Sequence, residues 1–195
     1  MKFDSKLIAE ELGQVDRLIG EGCLQLRKPE RIAKLAEHGM TGLACADGRY
    51  NKATADFFSK FHWMQHLLKL NGTGFLLGLD PSEFDGHRRQ YLEAAQFALL
   101  YDLEVAFKKL LHGRTVILLS HSPNCGQRAH FGLNLEEMLL ATHRAHDRVV
   151  ETLGVDHKIV IPALMVDRTY GVTDPAQQEV ELYVIKHDLI RRNGS

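Results

Sequence analysis

Thr115-Val116-Ile117-Leu118-Leu119-Ser120, running on into His121-Ser122-Pro123-Asn124-Cys125-Gly126, decides how the chain is read. The first six residues form an apolar run without alternation, as a parallel strand buried on both faces would. A second such run, residues 40–44, leads into Cys45-Ala46-Asp47-Gly48-Arg49, where Gly48 permits a tight turn. A helix-like segment follows each run. Strands separated by helices imply right-handed crossovers and a mostly parallel sheet. In such sheets functional side chains gather beyond the carboxyl ends of the strands. Both polar segments lie there, so two neighbouring strand ends would bring Cys45, His121 and Cys125 into one small volume.

Outward from these strands the pattern continues. Residues 4–19 read as an amphipathic helix, capped by Asp4 or Ser5 and striped by Leu7, Ile8, Leu12, Val15, Leu18 and Ile19. It can pack on its own domain or reach a second subunit. Residues 29–37 form a short helix with Pro29 in its first turn. Residues 51–71 read as one helix, with Phe57, Phe61, Met64, Leu67 and Leu68 at helical spacing and Trp63 beside them as core. Residues 75–79 read as a strand stopped by Asp80-Pro81. Residues 87–112 are helical, with Leu92, Ala95, Leu99, Leu103, Ala106 and Leu110 on one stripe. Residues 135–153 return to helix between Asn134 as cap and Gly154 as stop. Residues 158–166 read as a strand that Pro162 breaks or places at an edge. Residues 179–186 alternate, as an edge strand with one wet face would. The expectation is an α/β fold: a central sheet of about four mostly parallel strands plus an antiparallel edge strand, flanked by helices. A helical arm over residues 1–38 would precede an α/β domain over 39–195 that carries both strand ends.

Composition narrows the function classes. The 195 residues carry a net charge of −1, so no global field draws the chain to nucleic acid or an anionic membrane. No run approaches the roughly 20 apolar residues of a membrane span. Three cysteines, at 23, 45 and 125, are too few and too scattered for a disulfide framework. With no signal-peptide pattern in Met1-Lys2-Phe3-Asp4-Ser5, they fit a reducing cytoplasm.

Two thiolates and one imidazole are a ligand set that suits zinc. Three protein ligands leave a fourth position open, and the metal can lower the pKa of a bound water to about 7. Asp47 stands two residues after Cys45 and can reach that position. Arg49 can hold the Asp47 carboxylate in a bidentate pair and keep it ionised. Taken alone, Cys45 reads as an inert buried thiol; its company makes it a ligand. Cys23 has no partner motif and reads as structural. His87 and His130 are candidate proton shuttles. His38, His62, His66, His112, His143, His146, His157 and His187 read as surface residues. Gly72-Thr73-Gly74 lacks the lysine of a phosphate loop.

C-x-D-x-R at 45–49 with His121 and Cys125-Gly126 on a later strand end resembles the signature of the β-class carbonic anhydrases. The segment from Tyr91 to His121 is similar to that family's helix leading into its third strand. The resemblance covers roughly residues 40–130. It implies zinc on Cys45, His121 and Cys125, with Asp47 and Arg49 as a dyad beside it. It also implies reversible hydration of carbon dioxide to bicarbonate, a four-stranded parallel core, an N-terminal helical arm and a homodimer or larger homo-oligomer. Three residues separate His121 from Cys125 where the common pattern has two, and the extra residue is expected to bulge at Pro123. Gly48 replaces the usual Ser. Gln127 and Phe75 are the residues nearest in type to the family's substrate contacts. Carbon disulfide is an alternative substrate. Two further readings stay open: a catalytically silent zinc protein with a regulatory or assembly role, and a metal-free enzyme with Cys125 as nucleophile and His121 as base.

Overall fold

The computed structural model describes residues 5–35, 39–60, 65–109, 115–170 and 177–186. In chain order its elements are α1 (Ser5–Gly20), β1 (Leu24–Leu26), α2 (Pro29–Leu35), β2 (Met40–Cys45), α3 (Asn51–Ser59), β3 (Gln65–Leu70), α4 (Thr73–Leu76), α5 (Gly86–Glu104), β4 (Thr115–Ser122), α6 (Gly126–His130), α7 (Leu135–Leu153), β5 (Val160–Asp167) and β6 (Val180–Ile185). The six strands form one sheet in the order β1-β6-β5-β4-β2-β3. β3, β2, β4 and β5 run parallel, and β6 is antiparallel to β5 and to β1. The mixed, mostly parallel α/β architecture expected from the sequence is therefore present.

Alternation along β4 shows how the sheet is sandwiched. Val116 and Leu118 face one core with residues of α1, α4, α5 and α7; Ile117 and Leu119 face the other with residues of α2 and α3. All eight β4 residues are buried, as are all six of β2. Each fully buried aliphatic side chain contributes about 1.5–3 kcal/mol. α7 has the ends its sequence announced. Asn134 and Glu137 form a reciprocal capping box, and Gly154 closes the helix in the left-handed conformation. On α5 the expected stripe is buried from Leu92 to Leu103, and a wider turn, Val105–Lys109, continues the chain.

The region 51–79 folds differently from its pattern. α3 ends at Ser59, and residues 65–70 form β3, in parallel register with β2 from Met40↔Gln65 to Cys45↔Leu70. Leu67 and Leu68, which continue a helical stripe in sequence, lie in this edge strand because pairing with β2 outweighs local helix propensity. Phe61, Trp63 and Met64 lie outside the described residues. Residues 75–79 are not a strand. They fold into α4 and the turn after it, with Phe75, Leu76 and Leu77 all buried. The close approach of two glycines explains this. A Cβ on Gly74 would stand 2.5 Å from the Leu119 carbonyl carbon, and one on Gly78 1.8 Å from the Ala141 oxygen. α4 is thus pressed directly onto β4 and α7.

Pro162 lies inside the sheet rather than at its edge. It pairs with Leu118 of β4 and stands one residue before the ladder to β6 begins at Ala163, so its missing N–H interrupts nothing on that side. β6 is not an edge strand, because the three residues of β1 pair along its outer side. β1 was not anticipated; three residues between a helix end and a proline carry no period. His143 and His146, read as surface residues, are buried on α7 at 2% and 4% exposure. His146 lies within hydrogen-bond distance of Asp147 Oδ1 and of the His157 carbonyl, both at 3.0 Å. His38, His62, His112 and His187 lie outside the described residues.

Candidate metal centre

Cys45 is the last residue of β2, and His121 is the penultimate residue of β4 beside it. Cys125 immediately precedes α6. The three side chains are buried, and their ligand atoms all lie within 4.8 Å of one another. The strand ends thus bring together the trio read from the sequence. The extra residue between His121 and Cys125 does not carry the sulfur away. Within this segment Asn124 has a left-handed φ of 59°. Asparagine tolerates this left-handed conformation better than most residues.

The donor set fits a metal ion. Both ring nitrogens of His121 are buried without a hydrogen-bond partner. An unsatisfied buried polar atom costs about 1–3 kcal/mol, and an ion bound by the imidazole would supply a missing partner. The thiols already differ. Cys45 is shifted to a lower pKa, chiefly by the Cys125 thiol beside it, against the effect of burial, with help from His121 and the Gly72 N–H. Cys125 is shifted up by the same contact and by burial, while the N–H groups of Arg128 and Gln127 act in the opposite sense.

Each ligand has its own support. The Gly72 N–H donates to Cys45 Sγ at 3.2 Å. Gly72 has φ 77°, and a Cβ there would meet Gln127 Cγ at 2.6 Å and Phe75 Cζ at 2.9 Å. Glycine is required on both counts. Phe75 and Gln127 therefore pack beside the residue that binds Cys45. The Tyr50 ring lies 4.2 Å from the His121 ring at 33°, and its hydroxyl donates to the Ser122 carbonyl at 2.7 Å. Tyr50 therefore fixes both the imidazole and the backbone next to it.

Asp47 and Arg49 form the anticipated pair. Arg49 Nε donates to Asp47 Oδ1 at 2.8 Å, and Arg49 Nη2 donates to Asp47 Oδ2. The Arg49 backbone N–H also donates to Oδ1, at 3.1 Å, so Asp47 caps its own turn. Burial acts to raise the Asp47 carboxyl, but the Arg49 hydrogen bonds outweigh it and hold the group below the usual carboxylate range. Asp47 Oδ2 lies 3.8 Å from His121 Nε2, so the carboxylate borders the space among the ligands. Arg49 reaches further, donating to the Asn124 carbonyl at 2.8 Å and to the Tyr170 hydroxyl. Asn124 Nδ2 donates to the same hydroxyl at 2.7 Å.

Tyr50, Gly72, Asn124 and Tyr170 border the candidate site and were not read from the sequence, nor was Glu11, whose carboxylate binds Ser122, Asn124 and Arg128. For Glu11 a signal existed: it shares a helical face with Val15 and Leu18, an acid on an apolar stripe. His87 and His130 are exposed. A groove of about 170 Å³ between α3 and β6, lined in part by Lys52, Asp56, Lys60 and Glu181, shares no residue with the metal cluster.

The fold and the cluster define an α/β protein with a buried Cys-His-Cys centre at the carboxyl edge of a mostly parallel sheet. No protein-family profile matches the chain, and no curated protein matches it. Among solved structures, it is similar to a β-carbonic anhydrase, isoform I, from the protozoan Trichomonas vaginalis. The identity is 14%, over 95% of this chain and 100% of that one, with a TM-score of 0.45.

Proposed function

We propose that the chain binds zinc through Cys45, His121 and Cys125 and hydrates carbon dioxide reversibly to bicarbonate. The observation that carries this reading is the buried meeting of two sulfurs and an unpartnered imidazole within 4.8 Å. The Asp47–Arg49 pair at its border extends the reading from metal binding to catalysis. When bound, zinc supplies a water that ionises near neutral pH. The chain's own residues do the rest. Asp47, kept anionic by Arg49, is an acceptor that orients a hydrogen-bond donor in the space among the ligands. Arg49 locks that carboxylate by several bonds at once. Tyr50 holds the His121 ring and excludes solvent from one side of it. Phe75 and Gln127 pack on Gly72, whose N–H binds Cys45.

One zinc per chain would exclude the metal-free reading, in which Cys125 is the nucleophile and His121 its base. We further propose a homodimer or larger homo-oligomer in the cytoplasm. Among the described residues no helix is long and apolar enough to cross a membrane.

Zinc stoichiometry and stopped-flow carbon dioxide hydration, measured on one sample, test the proposal. One zinc per chain with hydration is the expected result. Zinc without hydration of carbon dioxide, or with hydrolysis of carbon disulfide in its place, would reassign the chemistry while keeping the metal. A zinc-replete preparation without bound metal would remove the proposal altogether.

A further inference from the structure

Glu11 lies in the middle of α1, far in sequence from the metal cluster, yet it is only 9% exposed. Burying a carboxylate is unfavourable unless its charge is fully partnered. Its partners are concentrated in one place. Ser122 Oγ donates to Oε1 at 2.6 Å. The Asn124 backbone N–H donates to Oε2 at 3.2 Å, and Arg128 Nη2 donates to the same oxygen. Ser122 directly follows His121, and Asn124 directly precedes Cys125. Arg128 belongs to α6, and its backbone N–H points to the Cys125 sulfur. One carboxylate therefore grips the chain between the two ligands, at Ser122 and Asn124, and again after the second, at Arg128.

The grip falls where the backbone needs it. Asn124 adopts φ 59°, a left-handed conformation that residues other than glycine, asparagine and aspartate rarely take. Its three polar groups are each held: the N–H by Glu11, the carbonyl by Arg49 and the side-chain amide by Tyr170. The other charged contacts of α1 lie elsewhere. Asp16 pairs with Arg168 at 2.8 Å, and Arg17 pairs with Glu136. Neither involves a residue of the 121–128 segment.

We infer that Glu11 is a positioning residue for the metal centre: from the N-terminal helix it fixes the turn that carries His121 and Cys125 and so sets how tightly the ion is held. This rests on the metal reading above. The helix then serves the site within its own chain, whatever else it contacts.

The test loads the full-length protein with zinc and follows its release to a chromophoric chelator; cobalt(II) replaces zinc in a parallel set for absorption spectra. Glu11→Gln removes the charge and one acceptor. It is expected to release zinc roughly 10- to 100-fold faster, the usual effect of losing an outer partner of a metal site, and to shift the cobalt bands. Asp16→Asn loosens the same helix away from the ligands and is expected to leave both readouts unchanged. Equal effects of the two substitutions would reduce Glu11 to an ordinary helix anchor and overturn the inference, as would no effect of Glu11→Gln. If Glu11→Gln does not fold, Ser122→Ala removes the donor to Oε1; faster release supports the inference and unchanged release overturns it. Wild-type protein that takes up no zinc refutes the metal reading, whereas wild-type protein that binds zinc beside an indifferent Glu11→Gln refutes only the role of Glu11.

Discussion

Cys45 is followed by a turn that holds itself together, whereas the turn from His121 to Cys125 is held by residues from three other parts of the chain. In the first, Asp47 caps the backbone N–H of Arg49 and pairs with its side chain, all within five residues. In the second, the supports are Glu11 on α1, Arg49 and Tyr50 after β2, and Tyr170 after β5. A locally closed turn keeps its shape when distant packing changes. A remotely held turn reports on the whole fold. The two turns meet through Arg49, which serves both.

The largest effect should come from the ligands themselves. Cys45→Ser, His121→Ala and Cys125→Ser should each abolish stoichiometric zinc, read by metal analysis after dialysis. Full zinc in any of the three would break the symmetry of the trio. Next come Asp47→Asn and Arg49→Ala. Each should keep the metal and lose about 100-fold or more in hydration rate, a typical share for a positioned proton acceptor. Arg49→Ala should also raise the zinc release rate, because it frees the Asn124 carbonyl; Asp47→Asn should not. Equal release from both variants would show that the two turns are not joined through Arg49.

Smaller effects sharpen the contrast further. Asn124→Ala keeps a side chain in the left-handed region and should cost about 1–2 kcal/mol in urea unfolding. Asn124→Gly should cost less, losing only the bond to Tyr170. A reversed order would mean that the amide, not the backbone, matters there. The smallest effect lies away from both turns. Burial acts to raise the Glu181 carboxyl, but Arg168 and Tyr183 bind it and hold it below its ordinary value of 4.5. A carboxyl depressed in the folded state contributes stability above that value, and the contribution is lost as pH falls through the folded pKa. Acid unfolding below about pH 4.5 should therefore be shallower in Glu181→Gln than in the wild type. The difference should stay under about 1 kcal/mol, since the pair is partly exposed.

The helices α1, α5 and α7, the strands β2, β4 and β5, the meeting of Cys45, His121 and Cys125, and the Asp47–Arg49 pair were legible in the sequence. Apolar runs, helical stripes and caps are local signals, and a turn closed by its own Asp and Arg is local too. What only the tertiary structure decided was the pairing. Gln65–Leu70 became a strand because β2 offered it a ladder, and residues 75–79 became a short helix because Gly74 and Gly78 let it press against β4 and α7. Likewise no spacing rule links Glu11 to Asn124, or Gly72 to Cys45. The physical reason is one of range. A hydrogen bond or cap between near neighbours leaves a mark in residue order, but a bond between segments a hundred residues apart exists only once the sheet has brought their ends together.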